Sequence, residues 1–575
     1  MPNDICCGYR QPGDRPIKSV HDSSKTDNPG PALTGGGFSE PLPSLEQYET
    51  RRPSFDADGG ARFAPGSVEP VYYNGPMHLL SIAPTRAGKG RYLLIPTLLT
   101  CPTTTVVIDP KGELARVTAA ARLKMGHRVY IIDPFNVAKV PGFKPSALNP
   151  LDVLAREGAD VVNESQTIAH NICESAGRGR GSRGSSSSND PFWDCNGKAL
   201  LSAFILATLL EEAKNRTLAT VYDKLHSDDV VYETAVLLDT KGGGKQKKNR
   251  GRRGKPEPGH LHPVAAAEMA VWLQMPELTR GGVLSTTQSY LKIFSSDTVL
   301  ESLGTTSFSV DDFIAGEPMT IYLVLPVDKL ASHGSLLRMW ISTLMRLIYT
   351  RVHVPDNPTL FLVDEAAQLG YMDELEKAMT VGMGYGLQVW TFWQDFAQLT
   401  KTYPESWQTI VNNCGAVSCF GARSAQMRAE FGRILGIAPS HFTALRPDEH
   451  LTMIDGEVWK LSALDYLRDS FGKNAAENPA YITPAAARPK APKRAIPLLP
   501  NGDQGAQRTA DHPAGETPGG WAGKRTGRQK KRPSIPTATD VVKPAEEAKP
   551  DQPEVPKATD SKPTGNPELK RPDQT

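Results

Sequence analysis

Seven short apolar runs, each closed by turn or charged residues, constrain this 575-residue chain more than any other feature. They read MHLLSIA (77–83), TTVVID (104–109), RVYIID (128–133), MTIYLVL (319–325), TLFLVDE (359–365), LQVWTFWQ (387–394) and AVSCFGA (416–422). Unbroken apolar runs suit strands buried on both faces. Helical stretches lie between them, among them LARVTAAARLKMG and GSLLRMWISTLMRLIYTRV. Strands alternating with helices predict an α/β fold with a mainly parallel sheet.

The alternation breaks between about 154 and 285, where helical stretches such as NGKALLSAFILATLLEEAKN dominate. This segment is expected to be an all-α insertion that divides the α/β domain into 71–153 and 286–475. Residues 1–70, rich in Pro, Gly, Ser and Asp, read as a flexible leader, and 476–575, dense in Pro and Lys, as a disordered tail. Two loops interrupt the insertion: GRGRGSRGSSSSND (177–190) and KGGGKQKKNRGRRGK (241–255).

Composition excludes some classes. Net charge is only +2, so nucleic-acid contact would have to come from local patches. The seven cysteines contain no C-x-x-C pair and read as reduced thiols of a cytosolic protein. The N-terminus has no apolar signal segment. The most apolar stretch, 199–210, falls short of the ~20 residues a membrane span needs, so the chain is expected to be soluble.

The first chemical signal is Ala83-Pro84-Thr85-Arg86-Ala87-Gly88-Lys89-Gly90, after one apolar run and before a helical stretch. Phosphate loops use small residues so that backbone N–H groups can wrap phosphates, and a lysine that reaches the β and γ phosphates. The strict pattern fails twice here: Ala83 replaces the first glycine, and Gly90 the hydroxyl residue that would touch Mg²⁺. Alone, the motif is as compatible with an ordinary strand-to-helix turn.

A second signal supports it. TLFLV ends in Asp364-Glu365, an acidic pair at the end of a buried strand. Asp364 is placed to hold Mg²⁺, and Glu365 to polarise an attacking water. Alone, the pair would serve equally as an acidic helix cap. A third element is Gln394, closing LQVWTFWQ, which is placed to sense a γ-phosphate by hydrogen bond. Together the three predict a nucleotide site for ATP and Mg²⁺.

At this point the chain resembles the type IV secretion coupling proteins (the TraG-like conjugative DNA transfer ATPases). The resemblance rests on APTRAGKGRYLLIPTLLTCPTTTVVIDPKGELARVTAAAR with its Asp109-Pro110-Lys111-Gly112-Glu113 signature, FWDCNGKALLSAFILATLL, TRGGVLSTTQSYLKIFSSDTV, LFLVDEAAQLG, and TFWQDFAQLTKTYPESWQTIVNNCGAVSCFGA, and covers about 75–480. It implies a RecA-like P-loop ATPase domain with an inserted all-α domain. It also implies a hexamer around a channel, and ATP-driven delivery of a relaxase–DNA complex or effector proteins to type IV secretion channel subunits. By position, Thr85, Arg86, Ala87, Gly88, Lys89 and Gly90 would bind phosphates, Asp364 the metal, and Glu365 and Gln394 would be catalytic.

Two departures stand out. Family members begin with transmembrane helices, and this chain shows none, so it is expected at the cytoplasmic face of the inner membrane through partners. Met383 stands where some members carry a trans-acting arginine, leaving Arg280 and Arg423 as candidates. The basic loop 241–255 suits phosphate-backbone contact without base stacking, though a solvated charge run reads the same. The same motor moving effectors, or a nucleotide-binding scaffold that does not hydrolyse, are the alternatives to DNA transfer.

Overall fold

The computed structural model describes residues 5–11, 14–17, 54–55, 61–62, 69–177, 191–242 and 259–478. Its strands are β1 (Ile5–Arg10), β2 (Ser54–Phe55), β3 (Ala61–Arg62), β4 (Glu69–Tyr73), β5 (His78–Ile82), β6 (Thr105–Ile108), β7 (Arg128–Ile132), β8 (Met319–Leu323), β9 (Thr359–Val363), β10 (Leu387–Trp393), β11 (Cys414–Cys419), β12 (Glu449–Ile454) and β13 (Glu457–Ser462). β2 and β3 pair with each other. The other eleven form one sheet in the order β4-β1-β13-β12-β11-β5-β10-β9-β6-β8-β7.

From β11 to β7 every pairing is parallel. The continuous apolar runs follow from this position. Alternate side chains point to opposite faces, and both faces are covered. Leu80, Ile82, Val106 and Ile108 enter one hydrophobic core, while Leu79 and Val107 enter a second core across the sheet. Each such side chain, fully buried, contributes about 1.5–3 kcal/mol.

The sheet then continues antiparallel through β12, β13, β1 and β4. The β12–β13 hairpin turns at Asp455-Gly456, both with positive φ (49° and 88°), which is the geometry an Asp-Gly pair favours. Ile5–Arg10, expected within a flexible leader, is instead a sheet strand. Its Ile5, Cys6, Cys7 and Tyr9 are buried, and its partners lie about 60 and 450 residues along the chain. Local composition carries no trace of pairing at that separation. The rest of the leader is mostly outside the described residues, as are nearly all of the tail (479–575) and most of both loops (178–190 and 243–258).

No strand occurs between Ile132 and Met319 among the described residues. Helices run past the expected return at 285 as far as Val310–Ala315. That last helix is started by the Ser309 hydroxyl, which accepts from the Asp312 N–H. Pro191–Ala207 is the central helix of this unit, with every residue from Leu200 to Ala207 buried. It is packed by Val161–Gly177, Pro263–Gln274 and Glu277–Tyr290. Burial on all sides accounts for the most apolar stretch of the sequence. No helix among the described residues is long and apolar enough to cross a membrane.

Candidate active site

Three neighbouring strands, β5, β10 and β9, end on the same edge of the parallel sheet. The loop 83–90 leaves β5, Gln394 follows β10, and Asp364 and Glu365 follow β9. The glutamine strand therefore lies between the loop strand and the acidic strand, and the Gln394 side chain reaches Thr85 of the loop and Glu365.

The loop is tight. The Ala83 N–H donates to the Trp393 carbonyl at 2.8 Å, tying it to β10, and the Ala87 N–H to the Pro84 carbonyl at 2.9 Å. That second bond commits one of the N–H groups expected to face phosphate. Gly88 has φ +91°, and a Cβ there would lie 2.4 Å from the Tyr92 ring, so only glycine fits. A Cβ on Gly90 would meet nothing within 4 Å. Space does not exclude the missing hydroxyl. Lys89 caps a π-helical turn, Gly90–Leu94, which continues as the helix Ile95–Thr100. Thr85 and Arg86 are exposed at the rim.

Lys89 Nζ lies 2.9 Å from Asp364 Oδ1 and 2.6 Å from Glu365 Oε1. The Glu365 Oε2 accepts from Gln394 Nε2 at 2.9 Å. That orients the amide, whose Oε1 accepts from the Thr85 hydroxyl at 3.3 Å. A chain of contacts thus runs Thr85–Gln394–Glu365–Lys89–Asp364. Burial works against the Lys89 charge, but Asp364 and Glu365 outweigh it and hold its pKa above the usual value. Burial also opposes the Glu365 charge; there Lys89, then Gln394, hold the pKa below the usual range. Asp364 is more deeply buried, and burial raises its pKa despite Lys89.

Glu365 has φ +56° and ψ +50°, a left-handed backbone that costs a non-glycine residue about 1 kcal/mol or more. That turn puts its carboxylate beside Gln394.

Two contributors were given no individual role in the sequence reading. Asp109 follows β6, which pairs with β9 so that Ile108 faces Val363; Asp109 therefore lies next to Asp364. Its buried carboxylate accepts from the N–H groups of Lys111, Glu113 and Ala115, and burial, reinforced by the Asp364 charge, pushes its pKa up to about 7. Gln398 accepts from the Gln394 N–H at 3.0 Å, while the Asp395 carboxylate accepts from the Gln398 N–H at 2.8 Å. The spacing Asp395-x-x-Gln398, a helix-start signature, was the available signal.

The arginine candidates separate. The Arg280 guanidinium donates to the Leu273 carbonyl within the helical unit. Arg423 is exposed, two residues after Gly421, where a Cβ would lie 3.2 Å from Ala87 of the loop. Met383 is in the turn Gly382–Tyr385, at the other end of β10 from Gln394.

The sequence profile of the family described as "Type IV secretory system Conjugative DNA transfer" matches residues 45–434. The chain belongs to this family. It is 26% identical to the conjugal transfer protein TraG of Escherichia coli over 393 residues, 66% of this chain and 58% of that protein. It is 27% identical to the protein VirD4 of Rhizobium rhizogenes over 342 residues, 59% of this chain and 46% of that protein. The chain thus spans less than three fifths of the length of these relatives. Among solved structures, the plasmid coupling protein TrwB in complex with ADP and Mg²⁺ matches with a TM-score of 0.48 at 15% identity, over 74% of this chain and 93% of that one.

Proposed function

We propose that this chain is an ATP-driven coupling protein that delivers relaxase-bound DNA to a type IV secretion channel, acting as a homo-hexamer that reaches the membrane through its partners. The observation that supports it is the contact of Lys89 with Asp364 and Glu365, bridged by Gln394 to the loop after β5. Membership of the conjugative DNA transfer family supports the choice of cargo.

The residues fit ATP and Mg²⁺. Lys89 Nζ and Asp364 Oδ1 are buried and pair with each other at 2.9 Å; with nucleotide bound, a phosphate oxygen would take the place of the carboxylate at the first, and a cation or its bound water that of the ammonium at the second. Among the described residues no cluster of three or more His, Cys, Asp or Glu side chains could hold a metal alone. That suits Mg²⁺, which is commonly held by one or two carboxylates together with phosphates and water. Held by Asp364 and the phosphates, Mg²⁺ would supply neutralisation of the phosphate charge.

The chain's own residues do the rest. Lys89 swings from the carboxylates to the β and γ phosphates. Glu365, relieved of that cation, becomes the stronger acceptor and orients a water toward the γ-phosphate. Gln394 holds Glu365 in place and reports phosphate occupancy to Thr85 and the loop.

The test is MgATP binding and turnover by the full chain and by Glu365→Gln, with and without single-stranded DNA. Turnover stimulated by DNA and lost in the variant, with binding retained, is the expected result. Binding without turnover in the unaltered chain would favour the scaffold reading, which Met383 at the position where some members carry an arginine also favours. Turnover indifferent to DNA but raised by a secreted protein would move the cargo to effectors.

A further inference from the structure

The chain leaves the sheet after β13. Residues 463–478 fold back across the two helices that follow β5 and β6. Ala463, Leu464, Tyr466 and Phe471 are buried in the same core as Leu94 and Val117. At one end, Asp465 grips Arg91: the Arg91 Nε donates to Oδ1 at 2.7 Å and its Nη2 to Oδ2. Asp465 is itself buried, and its N–H donates to the Asp469 carboxylate at 2.7 Å. At the other end, Asn478 Nδ2 donates to Glu113 Oε1 at 2.7 Å, and the Ala476 N–H to the Val117 carbonyl at 2.9 Å. Between them, a Cβ on Gly472 would lie 1.6 Å from the Tyr466 carbonyl oxygen, so the turn Ser470–Asn474 closes only with glycine there. Residues 463–478 lie beyond residue 434, where the family match ends, while their anchors Arg91 and Glu113 lie within it.

The two anchor points are not arbitrary. Arg91 is two residues after Lys89, and Glu113 begins the helix whose start is capped by Asp109, the neighbour of Asp364. Successive helical side chains are ~100° apart, so residues two apart point in nearly opposite directions. Fixing Arg91 on one side of its turn therefore aims Lys89 at the other, where Asp364 and Glu365 lie.

We propose that residues 463–478 form a strap that positions the nucleotide site, with Asp465 acting through Arg91 to aim Lys89 and Asn478 acting through Glu113 to set the turn that carries Asp109. The proposal rests on the nucleotide reading given above. Asp465 and Asn478 are positioning residues; neither would touch ATP.

The experiment uses the full chain and a fluorescent ATP analogue with Mg²⁺, with steady-state turnover and thermal melting in parallel. Asp465→Asn keeps the shape and removes the charge. Arg91→Met breaks the pair from its half-exposed side, and decides the matter if the Asn variant does not fold. Gly472→Ala dislodges the strap without altering either anchor. Each is expected to weaken MgATP affinity and raise KM at least ten-fold in the folded fraction. Asp465→Glu should recover most of the loss, and Arg91→Met combined with Asp465→Asn should be no worse than either alone. If the unaltered chain binds MgATP and the variants bind within two-fold of it, the strap proposal is overturned while the nucleotide reading stands. A loss of activity that only follows the unfolded fraction, with KM unchanged, also overturns it. If the unaltered chain binds no nucleotide, the nucleotide reading fails first and the strap with it.

Discussion

Glu365 offers one carboxylate oxygen to Lys89 at 2.6 Å and the other to Gln394 at 2.9 Å. One side chain thus joins the residue expected to hold phosphate to the residue expected to sense it. Lys89→Ala should lower ATP affinity by ten- to a hundred-fold, since hydrogen bonds to a charged group contribute about 1.5–3 kcal/mol each. It should also lower the melting temperature, because Asp364 and Glu365 would then lose the buried cation that touches both. Nucleotide titration and calorimetry on the same preparations check both.

Gln394→Glu places a second carboxylate against Glu365. Like charges in close proximity raise the pKa of one of them, and Glu365 loses the donor that holds it. Turnover should fall about ten- to a hundred-fold while nucleotide affinity changes little, the pattern of a group that acts in the chemical step. Steady-state kinetics over a range of MgATP separates kcat from KM. A fall confined to affinity would remove Gln394 from the catalytic chain.

His450 provides a pH prediction away from the nucleotide. It is buried, stacked on Phe420 with ring centroids 4.1 Å apart, and its Nε2 lies 3.0 Å from the Cys7 carbonyl of β1. That bond requires a proton on Nε2, and Nδ1 is buried without a partner. Burial accordingly pushes its pKa down to about 4. The unfolded chain therefore binds the proton more readily than the folded one, and stability rises with pH across this window. It should be lost as pH falls from about 6.5 toward 4, by up to about 3 kcal/mol. His450→Gln should flatten that part of the melting-temperature profile relative to the unaltered chain.

The basic loop makes a prediction about DNA. Removing residues 243–255, which leaves the helix Val230–Lys241 intact, should weaken DNA binding whatever its sequence. The log–log salt dependence should flatten by about 0.7–0.9 for each phosphate that the loop neutralises. ATP turnover without DNA should hold nearly steady. Anisotropy across a salt series checks this, and an unchanged slope would mean that the loop is only solvated charge.

What the sequence made legible, it did through local signals. The parallel strands stood out because burial on both faces leaves no polar position to interrupt them. Asp364, Glu365 and Gln394 stood out as polar residues at the end of such a run, and Lys89 by the loop of small residues that follows one. What stayed hidden depends on proximity through space. β1 has its partners at residues 69–73 and 462, and Ile5–Arg10 is too short to declare itself. Asp109 looks like part of a turn until β6 is placed against β9. The Asp455-Gly456 pair was an unused hairpin signal. Asp465 and Asn478 could not have been linked to Arg91 and Glu113 by any local pattern.

The left-handed backbone at Glu365 has a consequence for how this chain can drift in evolution. Glycine would relax that conformation and, by this measure alone, leave a more stable protein. It would also delete the one carboxylate that touches both Lys89 and Gln394. Stability and chemistry therefore pull in opposite directions at a single codon. In a lineage released from the proposed nucleotide chemistry, position 365 is where relaxation should register early: a substitution to glycine there, with the strands and cores intact, would mark a copy kept for its shape alone.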